Sequence, residues 1–120
     1  MADGQNMNTD NVLIDMEEGL SRVLGNKTLY IKLLVKFKAE PYLNNLTDAL
    51  DSGDYENAQA AAHTVKGVAA NLSLKALHLQ AQEIEAQIKN KAVNPDMIES
   101  VKNCYNETLI SVNKVIEQNG

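Results

Sequence analysis

Residues 55–72 read YENAQAAAHTVKGVAANL, and this stretch indicates the class of fold. Its apolar positions recur at alternating intervals of four and three residues, which is the period of one face of an α-helix. These positions are Ala58, Ala62, Val65, Ala69 and Leu72. Because alanine is small, a neighbouring helix can pack closely against this face. The stretch therefore predicts a helix that is buried on one side, within an all-α protein.

Stretches with the same period lie on both sides of this helix. They predict further helices over residues 11–20, 27–50 and 74–88, and from residue 95 to about residue 116. Short connections between long amphipathic helices favour antiparallel neighbours. The sequence therefore predicts an antiparallel up-down four-helix bundle with an additional short N-terminal helix, and no strand-like alternation competes with it.

Cap and breaker residues mark the expected helix ends. Gly19 and Gly25 bracket a break after the first helix, and Pro41 should kink or split the second. Gly53 is a candidate C-cap, and Pro95 occupies the first position of the last helix. The candidate N-caps of the first, third and fourth helices are Asp10, Asp54 and Ser73.

Composition and charge exclude several classes of protein. The formal net charge is −5 at pH 7 without a basic cluster, which argues against nucleic acid as the main partner. No apolar run is long enough for a membrane span. The single cysteine, Cys104, cannot form an internal disulfide and fits a reducing cytoplasm. Residues 1–10 are polar, lack the pattern of a signal peptide and are expected to be disordered, which leaves residues 11–117 as one domain.

The face of the third helix opposite its apolar stripe carries a histidine. Since an α-helix turns about 100° per residue, Lys66 and Gly67 lie within about 60° of His63 on the helical wheel. An imidazole with its ordinary pKa of about 6.5 is largely neutral and nucleophilic at pH 7. Lys66 can donate a charge-assisted hydrogen bond to a phosphoryl oxygen. The face suits an imidazole that accepts and releases a phosphoryl group.

Small residues surround this histidine. A glycine inside a helix costs about 1 kcal/mol relative to alanine, so Gly67 must serve something other than helix stability. Helical side chains lean toward the N-terminus, and any side chain at position 67 would lean over His63. The same face also contains Gln59, Ala60 and Ala70. We predict that this face lets a partner approach the imidazole closely.

The segment AHTVKGVAANL, residues 62–72, resembles the A-H-x-L-K-G-x-A-x-x-[LI]-G signature of histidine-containing phosphotransfer (HPt) domains. The likeness extends over about residues 11–117. It departs from the family at Ser73, where glycine is usual, and at Leu74, where alanine is frequent. Further matching positions are residues 18–22, Leu29, Tyr30, Leu33, Leu34, Phe37, Ala49, Leu50, residues 53–55, Ala81 and Glu85.

The resemblance implies a phosphocarrier without a kinase activity or nucleotide site of its own. His63 would be phosphorylated by the aspartate of a receiver domain and would pass the phosphoryl group to another receiver, with Lys66 and Gly67 assisting. The implied partners are the receiver domains of hybrid histidine kinases and response regulators, which would also supply Mg²⁺. The implied contact surface consists of Gln59, Ala60, Lys66, Gly67 and Ala70. No cofactor or metal is expected on the chain itself, which we expect to be a cytoplasmic monomer.

Two other interpretations stay open. The chain could be the phosphoryl-accepting domain of a larger hybrid or chemotaxis-type histidine kinase, although the latter type often has a further histidine and Leu-Glu where this chain has residues 82–85. It could also be a non-catalytic adaptor that binds receivers, but the retained His63 argues against this. The other histidine, His78, lacks a following Lys-Gly pair and is predicted to be a helix-surface residue.

Overall fold

A computed structural model describes residues 13–119, and these residues are helical without any strand. The helices are α1 (Met16–Arg22), α2 (Lys27–Ala39), α3 (Tyr42–Asp51), α4 (Tyr55–Leu72), α5 (Lys75–Lys89) and α6 (Pro95–Asn119). Within residues 13–119, no helix is both long and apolar enough to cross a membrane. The expected disorder of residues 1–10 and the candidate N-cap Asp10 lie outside the described residues.

The first helix begins later than predicted. Residues 13–15 are not helical, and the carboxylate of Asp15 caps α1 by accepting a hydrogen bond from the backbone N–H of Glu18 at 3.1 Å. Gly19 does not break the helix. It is buried inside α1, where an added Cβ would lie 2.6 Å from Cε1 of Tyr30. Gly19 is therefore a packing residue, whereas Gly25 lies in the following turn with φ +78°.

Pro41 splits the predicted second helix into α2 and α3. The first part ends at Ala39 and the second begins at Tyr42. Proline has no backbone N–H and its ring clashes with the preceding turn, so it kinks or breaks a helix, and here the helix is broken. The predicted start of the next helix is confirmed, since the Asp54 carboxylate accepts a hydrogen bond from the backbone N–H of Asn57 at 3.1 Å.

Ser73 ends α4 and is not the N-cap of α5, contrary to the prediction. Its φ of 58° and ψ of 39° place it in the left-handed region, which glycine adopts most easily. Its hydroxyl donates to Oε1 of Glu18 at 2.7 Å, which ties α1 to the end of α4. The N-cap position of α5 is Leu74, which makes no side-chain cap hydrogen bond. A serine therefore occupies a left-handed position at which glycine is usual.

The predicted apolar stripes form the core. Every predicted position of the α4 and α5 stripes is buried, whereas Leu109 and Ile116 of α6 are only partly buried. The hydroxyl of Tyr30 donates to the backbone oxygen of Leu72 at 2.7 Å and fixes α2 to the end of α4. Helix α4 contacts α1, α2, α3 and α5, so neighbouring helices support it. Its opposite face is open, since Ala60, His63 and Gly67 are exposed.

Candidate functional site

The side chain of His63 projects from the open face of α4, as the helical wheel predicts. Its exposed fraction is 69%, although Ala62 beside it is fully buried. The Nδ1 atom lies 3.2 Å from Oε2 of Glu85, a residue of α5. One edge of the imidazole is therefore held by the protein, and the ring remains largely open to solvent.

Glu85 connects the two polar side chains that sequence analysis placed on this face. Its side chain is 7% exposed, and its Oε1 atom lies 2.7 Å from Nζ of Lys66. Burial raises the pKa of the Glu85 carboxyl. However, the hydrogen bonds and positive charge supplied by Lys66, together with those of His63, outweigh burial and hold this pKa below its ordinary value. Glu85 is therefore ionised at neutral pH.

Lys66 lies on the predicted face of α4, but its side chain is less exposed than predicted. The sequence indicated an exposed ammonium, but the side chain is only 29% exposed and pairs with Glu85. Because the pair forms between α4 and α5, it also holds the two helices together beside His63.

His78 lies on α5 and is half-buried, and it makes a contact within the protein that the prediction of a helix-surface residue did not include. Its Nδ1 atom lies 3.2 Å from the backbone oxygen of Lys66. A carbonyl oxygen can only accept, so Nδ1 of His78 is the donor. The second histidine therefore anchors α5 to the turn of α4 that carries the lysine.

The remaining predicted site residues lie on α4 around His63. Gly67 and Ala60 are exposed, whereas Gln59 and Ala70 are half-buried. An added Cβ at Gly67 would meet no atom within 4 Å, so the glycine is not required by packing within the chain. Because Gly67 has no side chain and Ala60 has only a methyl group, the surface beside the imidazole is open.

The carboxylate of Glu85 determines which nitrogen of His63 is free. An ionised carboxylate can only accept hydrogen bonds, so Nδ1 of a neutral His63 carries the hydrogen and donates to Oε2. The Nε2 atom then holds the lone pair. Since the ring is mostly exposed, this arrangement presents a nucleophilic nitrogen to an approaching partner.

Sequence reasoning left Glu85 out of the site, although it noted the residue within the family resemblance. The sequence did contain a signal that pointed to Glu85. Glu85 follows the buried Ile84 directly and lies one helical turn after the buried Ala81. A carboxylate at the edge of an apolar stripe needs a buried partner. Within residues 13–119, no group of three or more His, Cys, Asp or Glu side chains could hold a metal ion.

Comparison with known proteins agrees with this geometry. The family model described as Hpt domain matches residues 34–110, a range that includes all of α4 and α5 with His63, Lys66 and Glu85. Because the match covers more than half of the chain, the chain belongs to the HPt domain family. Searches of curated proteins and of solved structures gave no match. Members of this family are phosphocarriers of phosphorelays and interact with receiver domains.

Proposed function

We propose that the chain is a histidine phosphotransfer protein of a multistep phosphorelay, in which His63 is the phosphorylated residue. The contact between Nδ1 of His63 and Oε2 of Glu85 carries this proposal. It leaves Nε2 as the unprotonated nitrogen on an exposed ring. The partners are receiver domains of hybrid histidine kinases and response regulators.

In the transfer step, the Nε2 lone pair attacks the phosphorus atom of a receiver's aspartyl phosphate. The P–N bond forms as the P–O bond breaks, and the aspartate leaves as a carboxylate. The phosphorylated imidazole keeps its hydrogen on Nδ1 and gains positive charge, which the Glu85 carboxylate stabilises across 3.2 Å. Attack by the aspartate of a second receiver reverses these bond changes and restores the free imidazole.

The neighbouring residues support the approach and orientation of the partner. Lys66 lies one helical turn from His63, and its ammonium, held by Glu85, can also donate to a phosphoryl oxygen. Gly67 and Ala60 leave the surface low enough for a receiver to reach the ring, and Gln59 and Ala70 complete the contact surface. We propose that Mg²⁺ and the groups that bind it belong to the receiver, as the resemblance implies.

The helices are proposed to form an antiparallel up-down four-helix bundle to which α1 is added. In this arrangement α2 and α3 together act as one member, and α4, α5 and α6 are the others. Successive members contact each other, and α6 contacts both α2 and α3, which closes the ring. The connections between α3, α4, α5 and α6 are short, as between antiparallel neighbours.

Phosphorylation distinguishes a carrier from an adaptor that only binds receivers. The purified chain is incubated with a phosphorylated receiver domain, and the added phosphate is measured by intact mass. Phosphate on a histidine should be acid-labile and base-stable. We expect one phosphate on the wild type and on His78→Gln, and none on His63→Gln. Glutamine at position 78 retains an N–H donor for the Lys66 carbonyl, so His78→Gln is the matched control. Equal labelling of His63→Gln would overturn the assignment, and binding without labelling would favour the adaptor.

A further inference from the structure

A second face of the bundle carries a groove, between α5 and α6. Its volume is about 720 Å³, and residues of both helices line it. The Ser100 hydroxyl of α6 donates to Oε1 of Gln80 of α5 at 2.7 Å, and both residues belong to the groove. Because this bond joins the two helices, the groove is a fixed feature of the packed bundle.

Each helix contributes one exposed large apolar side chain to this groove. Leu79 of α5 is 62% exposed, and Ile110 of α6 is 58% exposed. Single exposed apolar residues are ordinary on protein surfaces, but two that line one groove form a patch that a partner can cover. The partner must therefore present apolar side chains to the groove.

The charges at the groove are balanced, unlike those of the whole chain. In the part of the chain that the structure describes, two charged residues line the groove, Glu107 and Lys114 of α6. Neither forms an ion pair within residues 13–119. The chain as a whole has a net charge of −5, so two copies repel each other in general. The groove lacks this excess of negative charge, and both of its charges can pair with a partner.

The spacing of these residues makes the surface of α6 complementary to itself. Glu107 lies about 4.5 Å before Ile110 along the helix axis, and Lys114 lies about 6 Å after it. All three lie within about 60° of one another on the helical wheel. When α6 of a second copy runs antiparallel across this face, with the two Ile110 side chains at the centre, each Glu107 lies within about 1.5 Å of the other copy's Lys114 along the axis. Two ion pairs then flank one apolar contact.

We propose that this face is the interface of a homodimer, in which α6 of two copies pack antiparallel about a twofold axis near Ile110. A twofold interface uses the same surface of both copies, so that surface must be complementary to itself, as the surface of α6 is. Leu79 enlarges the apolar contact from the neighbouring helix. The proposal replaces the expected monomer, because only the structure shows that α5 and α6 place these side chains in one groove.

The proposed dimer leaves His63 open to receivers. On α5, Leu79 lies about 120° around the helix axis from Glu85, the residue that contacts His63. The second copy therefore covers the side of α5 that is turned away from the imidazole. Because the apolar part of the interface consists of few side chains, we expect a weak dimer that dissociates on dilution.

The test uses charge reversals that identify which residues meet. Glu107→Lys brings lysine against lysine in the dimer, and Lys114→Glu brings glutamate against glutamate. Each variant alone should dimerise roughly tenfold more weakly than the wild type. A 1:1 mixture of the two should regain association, since every lysine of one variant then faces a glutamate of the other. Sedimentation equilibrium from about 10 μM to about 1 mM measures the association.

Lys32→Glu is the matched control for these reversals. It makes the same change of net charge as Lys114→Glu at an exposed position of α2, outside the groove, and should dimerise like the wild type. A wild type that stays monomeric over the whole range would overturn the proposal, whatever else covers the groove. A mixture that associates no better than the single variants would also overturn it, because the contacts would then lie elsewhere.

Labelling of His63 checks the orientation of the two copies. Phosphoramidate, a small phosphate donor, should label the wild type equally below and above the concentration at which the dimer forms. A loss of labelling as the dimer forms would place the interface over His63 and overturn the proposal. Absence of labelling at every concentration would instead contradict the proposed function, since the sedimentation test does not depend on phosphate.

Discussion

Nδ1 of His63 and Oε2 of Glu85 lie 3.2 Å apart, although 22 positions separate the two residues in the sequence. The contact exists because α4 and α5 are joined by only two residues, Ser73 and Leu74, and pack against each other. A carboxylate at this position orients the imidazole and keeps the hydrogen on Nδ1. The reactivity of the exposed nitrogen therefore depends on a nearly buried residue of the neighbouring helix.

Replacing the carboxylate of Glu85 by an amide tests the role of its charge apart from that of its hydrogen bond. In Glu85→Gln the amide oxygen can still accept from Nδ1 of His63, but the negative charge is lost. Charge-assisted hydrogen bonds are about twice as strong as neutral ones, so we expect transfer from a phosphorylated receiver to slow roughly tenfold. Glu83→Gln, an exposed change on the same helix, is the control and should transfer at the wild-type rate. Indistinguishable transfer rates for the two variants would show that the charge of Glu85 does not contribute to transfer.

The same carboxylate should make stability depend on pH. Because the pKa of Glu85 is lower in the folded protein than its ordinary value of 4.5, the folded state binds this proton less readily than the unfolded state does. Its contribution to stability is therefore fully present above about pH 4.5 and is lost as the pH falls through the folded-state pKa.

The comparison of wild type with Glu85→Gln isolates this contribution. Urea unfolding at several pH values should show a difference in unfolding free energy that is constant near neutral pH and declines in acid. A difference that stays constant down to acid pH would contradict the ionised, paired state of Glu85.

Lys66 is expected to control the ionisation of Glu85. Lys66→Ala removes the hydrogen bond and the charge that lower the carboxyl pKa, while most of the burial that raises it remains. The pKa of Glu85, followed by carboxyl NMR, should therefore rise. Transfer should slow about tenfold, since a hydrogen bond to a charged group contributes roughly 1.5–3 kcal/mol before solvent weakens it.

Lys66→Arg preserves the charge and provides the matched control. It should keep the pKa of Glu85 below its ordinary value and retain more of the transfer rate than Lys66→Ala. If the carboxyl pKa is the same in all three proteins, the ion pair does not form in solution.

Features that depend on one helix were predictable from the sequence, because helical period alone determines them. The apolar stripe of α4 and the placement of His63, Lys66 and Gly67 on its open face are of this kind. The pairing of Lys66 with Glu85 was not predictable, since the period within each helix does not specify the register between two helices. The contact depends on the position of α5 relative to α4 along the helix axis.

Local signals also failed where a tertiary contact or a competing cap decided the outcome. Gly19 resembled a break, but Tyr30 packs so closely against it that only glycine fits within α1. The apolar pattern of residues 11–20 did not reveal that Asp15 caps the helix. At Ser73, a residue type common at N-caps adopts a left-handed conformation that ends the preceding helix instead.

Gly67 should be required for access to His63 and not for folding. An added Cβ there meets no atom within 4 Å, so Gly67→Ala should raise the unfolding free energy by up to about 1 kcal/mol. Gly67→Gln should unfold at the wild-type temperature or above it, yet its longer side chain leans over His63 and should hinder the receiver. Phosphoramidate, which is small, should still label His63 in both variants.

Melting temperature and transfer rate are measured on the same samples, with Gly19→Ala as the contrast that should lose stability through its clash with Tyr30. If Gly67→Gln loses stability and transfer together, the glycine serves helix packing and the access argument fails.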